Sequence, residues 1–245
     1  MSAISGIVSV GPFDVLTAYT ASNATDVPST IGALASTPDG RLFRFGYNAS
    51  ASLSLSPGKL VQGPAVVAAH QAVTVSAQSV GDRQITVTLG ATAATANQYA
   101  GGFIGIISGT GSVATYSISG HPAANASATL LLTLNDPIAV ATSSSATANL
   151  WANPYSAAIV CPTTVTGTIA GVPLVTVSTT QYAWFQTSGS AVVLNQGGTT
   201  AGLGLAPSGS VAGALATVGA TTDQVAVADQ AGVDGAYSFV RMQLD

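Results

Sequence analysis

Two histidines, one cysteine and nine aspartates are the residues of this chain with the chemistry for catalysis or metal binding. His70 sits in a Val/Ala strand context and His121 precedes Pro122 in a turn. Neither has a partner at ligand spacing, which favours structural roles. A Ser-His-Asp site draws its members from distant positions, so sequence order does not exclude one; no Gly-x-Ser-x-Gly elbow, however, stands before a helix. Paired carboxylates for glycoside hydrolysis would have to come from turn aspartates such as Asp39 before Gly40 and Asp234 before Gly235. Asp223, Asp229 and Asp234 lack EF-hand spacing and read as solvated loop carboxylates. Gly109-Thr110-Gly111 and Gly202-Leu203-Gly204 read as sheet turns, without the frame or the lysine of a phosphate loop. Cys161, in Ile159-Val160-Cys161-Pro162, has no intrachain disulfide partner and reads as a small buried hydrophobe. Asn23, Asn48 and Asn125 open Asn-x-Ser/Thr triplets of the kind a Ser/Thr-rich chain contains by chance. The expectation is a protein that is not an enzyme and holds no metal or cofactor.

Composition points the same way. Charged residues are 6% of the 245 and hydrophobic ones 47%, against roughly 25% charged in an ordinary soluble domain. Glutamate is absent and the formal net charge is −4. Such a surface has little electrostatic protection against association, so much of it is expected to be covered by other chains. The five basic residues, Arg41, Arg44, Lys59, Arg83 and Arg241, form no patch for a phosphate backbone, and no nucleic-acid partner is expected. No apolar run reaches the roughly 18 residues of a membrane helix, and the scattered aromatics make no barrel girdle. The N-terminus Met-Ser-Ala-Ile lacks the basic and apolar regions of a signal peptide.

The elements that would position these residues read as strands. Gln84-Ile85-Thr86-Val87-Thr88-Leu89 alternates cleanly, with Ile85, Val87 and Leu89 inward. Phe103-Ile104-Gly105-Ile106-Ile107, residues 113–119, 129–134 and 148–152 follow at strand spacing between Gly, Pro and Asn turns. The fold class expected is all-β, a β-sandwich or barrel with an extended N-terminal arm. Residues 1–36 form that arm, with strand-capable pieces at 4–10 and 15–19. Residues 37–161 form a sandwich or barrel region and 162–245 a C-terminal β region, continuous or separate. In the last, Gln181-Tyr182-Ala183-Trp184-Phe185-Gln186 turns at Ser188-Gly189 and resumes as Ala191-Val192-Val193-Leu194. The alanine-rich pieces 91–96, 123–128 and 212–216 could form only short helical turns. In Arg41-Leu42-Phe43-Arg44-Phe45-Gly46-Tyr47, Phe43, Phe45 and Tyr47 share one face. This is either an amphipathic edge strand or a strand that docks on an acidic neighbour.

Several stretches resemble landmarks of proteins encoded beside tailed-phage capsid genes. They are Pro38-Asp39-Gly40-Arg41-Leu42-Phe43-Arg44, Ser56-Pro57-Gly58-Lys59-Leu60, Thr95-Ala96-Asn97-Gln98-Tyr99-Ala100-Gly101-Gly102, Leu134-Asn135-Asp136-Pro137-Ile138, Asn153-Pro154-Tyr155 and Tyr182-Ala183-Trp184-Phe185-Gln186-Thr187. The closing Val225-Ala226-Val227-Ala228 and Ala231-Gly232-Val233-Asp234-Gly235, with a last apolar strand, resemble capsid decoration proteins. The resemblance covers roughly residues 37–245. It implies a virion protein made in the host cytoplasm, carried on the capsid exterior as a homotrimer, with the major capsid protein as partner. It assigns no binding residues. Arg41, Phe43, Arg44, Phe45 and Tyr47, together with the arm, are the expected shell contacts, and the three-fold contact is expected in the C-terminal β region. The alternative is a tail, baseplate or head-fibre β-protein that touches host glycans.

Overall fold

The computed structural model describes residues 15–23, 30–50, 52–219 and 223–245. The protein is all-β, as expected, with 41% strand and 4% helix. Among the described residues, no helix is long and apolar enough to cross a membrane. Four strands come first: β1 (Ala21–Ser22), β2 (Leu34–Ser36), β3 (Leu42–Tyr47) and β4 (Val61–Gln62). Then come β5 (Val73–Val75), β6 (Gln84–Thr88), β7 (Phe103–Ser108), β8 (Thr115–Gly120), β9 (Thr129–Leu134) and β10 (Thr147–Trp151). The chain ends with β11 (Ile159–Val160), β12 (Ile169–Pro173), β13 (Tyr182–Leu194), β14 (Gly204–Pro207), β15 (Leu215–Thr217), β16 (Ala226–Ala228) and β17 (Tyr237–Gln243).

Two compact units divide these strands, and one is inserted into the other. The barrel unit is Ala65–Asn153; the sheet unit is the chain up to Pro64 together with Pro154–Asp245. This replaces the boundary expected near residues 162–173. A cut there would separate β11 from β12, yet both pair with β4. At the insertion point Gly63 lies against Pro154, where an added Cβ would stand 2.3 Å from the Pro154 carbonyl oxygen. Insertions are tolerated where entry and exit lie close together.

In the barrel unit β10, β5, β6, β9, β8 and β7 close on themselves, every pairing antiparallel. Period-2 alternation sends one face of each strand inward. Val75, Ile85, Val87, Ile104, Ile118, Leu130 and Leu132 are completely or almost completely buried inside. The inward set expected for β6, Ile85, Val87 and Leu89, is the one observed. The alanine-rich segments at 91–96 and 123–128 form turns joined by an Ala94–Ala124 bridge rather than helical turns.

The sheet unit is built around β13. Its first half pairs with β3, from Tyr182 opposite Tyr47 to Ser188 opposite Leu42, and its second half pairs with β17, from Ser188 opposite Gln243 to Leu194 opposite Tyr237. β1 and β12 take further positions on it. The turn expected at Ser188-Gly189 is instead a bend within one 13-residue strand. Gly189 holds φ +85°, and an added Cβ would stand 2.9 Å from the Arg41 side chain, so glycine lets the strand bend without ending it.

Of the expected N-terminal arm, residues 1–14 and 24–29 lie outside the described residues. The remainder belongs to the sheet unit. Val15–Tyr19 is a 3-10 turn rather than a strand, with Ala18 fully buried. The Thr20 N–H and hydroxyl both bond the Thr17 carbonyl and close it. β1 pairs with β13 and β2 with β3.

Candidate functional site

The β13–β17 pairing creates the most distinctive surface of the sheet unit. Alternation buries Val193, Val240 and Met242, and turns Val192, Tyr237 and Phe239 outward at 41%, 50% and 52% exposure. Val192 is directly opposite Phe239. Tyr19 from the 3-10 turn and the Pro57-Gly58 corner complete a groove of about 610 Å³. Gly58 is required here, because an added Cβ would stand 2.6 Å from the Tyr237 ring.

The groove is nearly neutral. Arg41 lines it, but its guanidinium bonds Asp39 at 2.9 Å and lies 5.7 Å from the Phe43 ring centroid. The Thr37 hydroxyl and the Arg41 contacts hold the exposed Asp39 carboxyl below its ordinary value. At the base, the Gln186 amide donates to the Ser188 and Ser190 carbonyls at 3.1 and 2.8 Å, bracing the β13 bend. Its Oε1 is buried without a protein partner. Among the described residues, no nucleophile–base pair lines the groove. Its walls are mostly apolar and aromatic, a surface that gains roughly 25 cal/mol per Å² when covered.

The shell-contact residues expected from the sequence divide into two groups. Phe43 and Phe45 are 0% and 1% exposed, packed with Trp184 in the sheet-unit core. The Phe45 ring stacks on Tyr182 and tilts against Trp184, with centroids 5.8 and 5.0 Å away. Both are therefore withdrawn from the surface, because Ala18 of the 3-10 turn, Ala35 of β2, Trp184 of β13 and Leu174 pack around them on that face of the sheet. Tyr47 is half-buried against Tyr182. Arg44 makes a bidentate pair with Asp245, both contacts 3.0 Å, and donates to the Gly32 carbonyl. Burial raises the Asp245 carboxyl, but hydrogen bonds from Arg44 and Thr187 and the Arg44 charge outweigh it and hold it below the ordinary range. The acidic neighbours of Arg41 and Arg44 are thus within this chain. Of the five residues, only Arg41 lines the groove.

The two histidines meet in the barrel unit, around Tyr99. His70, fully buried, donates from Nε2 to the Thr92 carbonyl at 2.9 Å and accepts the Tyr99 hydroxyl at Nδ1. His121 accepts the Tyr99 backbone N–H at Nε2, 3.0 Å, and donates from Nδ1 to the Pro122 carbonyl. Burial pushes the Tyr99 hydroxyl up to about 12, so it stays a proton donor. Every imidazole nitrogen is engaged, which leaves neither ring free as a base or ligand. Tyr99 stands 29 positions from His70 and 22 from His121, so no local spacing could have signalled the cluster.

The remaining candidates are bound into the fold. Cys161 is buried, and desolvation pushes its thiol up to about 11. Asn48, which opens an Asn-x-Ser triplet, is fully buried and donates to the Leu53, Val177 and Ser178 carbonyls. A glycan has no access to it. Asp229 pairs with Arg241 at 2.7 Å and Asp234 accepts the Gly197 N–H. Among the described residues, no three metal-ligating side chains gather. No protein-family model, curated protein or solved structure matches the chain.

Proposed function

We propose that the chain is a capsid decoration protein of a tailed bacteriophage. It binds the outside of the head as a homotrimer, contacts the major capsid protein and stabilises capsomer junctions. The observation that supports this reading is the pairing of a surface almost without charge, 6% of residues, with large apolar side chains kept outside, Val192, Tyr237 and Phe239 foremost. Interfaces that exclude water are depleted in charge and enriched in aromatics at their centres. The groove takes an apolar segment of the shell, with Arg41 at its rim. The contact assigned to Phe43 and Phe45 passes to Tyr19, Val192 and Phe239.

Sedimentation of the purified chain with assembled heads tests this. The chain should pellet with heads, and Val192→Ser or Phe239→Ser should weaken binding by about tenfold or more with an unchanged melting transition. A chain that fractionates with tails ends the reading. A second reading, a tail, baseplate or head-fibre protein that touches glycans, is favoured by an exposed aromatic pair on the barrel unit. Electron microscopy of labelled virions separates the two by position.

A further inference from the structure

On the outer face of the barrel unit, Trp151 on β10 stands directly opposite Phe103 on β7, and both are exposed, at 56% and 47%. Directly opposed residues of an antiparallel pair have Cβ atoms about 5 Å apart, so the two rings stand side by side on one face. Two residues along, about 7 Å at strand spacing, Gly105 is opposite Asn149, and nothing lies within 4 Å of a Cβ added at Gly105. β8 completes the face: Ser117 is opposite Phe103 and Thr115 is opposite Gly105.

The polar members are held as donors. Asn149 Oδ1 accepts the Ala72 N–H at 2.8 Å, which leaves the amide NH₂ to face a ligand. Ser117 Oγ accepts from Asn135 Nδ2 at 2.7 Å, which leaves the hydroxyl proton free to donate. None of the six residues on the face is charged.

We infer that this face is a binding platform for a neutral glycan. A pyranose is amphipathic: its C–H face carries slight positive charge and suits the negative face of an aromatic ring, while its rim of hydroxyls needs neutral hydrogen-bonding partners. Trp151 and Phe103 supply the stacking surface. Gly105 leaves the notch into which the next sugar drops, and Asn149, Thr115 and Ser117 meet its hydroxyls. A polyanion would find no cation among these six residues, and Arg83 beside Asn135 is held by the Asn135 carbonyl at 2.6 Å. A second copy of the chain would gain from the rings but would cover the polar row without using it. This inference concerns the chain alone and does not depend on where it sits in a virion.

The chain has two tryptophans, and Trp184 is 2% exposed, so a sugar on the platform changes the fluorescence of Trp151 selectively. Titration of the full chain with cellohexaose, maltohexaose and chitohexaose should give a saturable blue shift with at least one of them. Phe103→Ala should weaken that binding by about tenfold, the loss of one aromatic stack. Trp151→Ala should abolish it by calorimetry. Gly105→Leu, which fills the notch without touching the barrel interior, should block it while keeping the Trp151 signal. No shift with any of the three sugars at millimolar concentration overturns the platform, as does binding that survives Trp151→Ala. Self-association dissolved by Trp151→Ala, without sugar binding, assigns the face to a second copy and also overturns it. Because no heads are present, failure here leaves the capsid reading standing, and failure of head binding leaves the platform standing.

Discussion

The barrel unit and the sheet unit protect their strand edges in different ways. Six strands of the barrel close on one another, so each backbone edge is paired and one continuous core fills the centre. The sheet unit stays open. Its path runs from β11 to β15, both very short, and it is held together by one long strand that serves β1, β3, β12 and β17 in turn. Short edge strands limit unwanted pairing, but the open sheet leaves an aromatic-walled groove on its face. Every barrel pairing therefore joins strands of one continuous segment, whereas the open sheet mixes near pairings such as β12 with β13 and distant ones such as β3 with β13, whose partners stand more than a hundred positions apart.

The largest effects that could break this comparison come from core truncation. Leu132→Ala in β9 and Phe185→Ala in β13 should each cost about 2–5 kcal/mol. Amide hydrogen exchange should show the first loosening the barrel amides and the second the sheet-unit amides. Simultaneous loss of protection in both units would break the distinction. Next come the buried polar anchors. Asn48→Ala strands the Leu53 carbonyl and the Ser50 N–H and takes one of two donors from the Val177 and Ser178 carbonyls, which keep the Leu55 and Gln181 N–H groups. It should lower stability by about 3 kcal/mol in a denaturant titration at constant slope. Tyr99→Phe leaves His70 Nδ1 without its donor and the half-buried Gln98 amide without an acceptor, and should cost about 1–2 kcal/mol by the same measurement. The difference between the two sharpens the contrast, since Asn48 joins distant segments and Tyr99 joins nearer ones.

The smallest expected effect is electrostatic. Asp245 is held below its ordinary value of 3.8 in the folded state. Its contribution is therefore present above that value and lost as pH falls through the depressed one. Asp245→Asn should cost about 1 kcal/mol near neutral pH, a modest figure because solvent screens the pair, and progressively less as the pH falls through the depressed value. An unchanged acid limb in the stability profile would show that the Arg44–Asp245 pair contributes nothing.

Much of the barrel unit was legible in the sequence. Ile85, Val87 and Leu89 alternate with Gln84, Thr86 and Thr88, and one face of such a strand must be dry. The groove was not legible. Val192 and Phe239 look like ordinary strand hydrophobes until their pairing sets both on the outer face. Phe43 and Phe45 misled for the converse reason. Their alternation left open whether that face was free to dock, but Ala18, Ala35, Trp184 and Leu174 cover it and take the rings into the core. The His70–Tyr99–His121 cluster depends on loops brought together by barrel closure.

The sequence alone determined the all-β class, the strand-sized segments, the near absence of charge and the placement of most turns. These follow from side-chain period, glycine and proline geometry and composition, which act within a few residues. Tertiary structure alone decided that residues 65–153 interrupt the other unit and that β13 bends at Gly189 without ending. It also decided which aromatics are buried and which stand outside. A strand's pattern says that its two faces differ, but only its neighbours decide which face meets water.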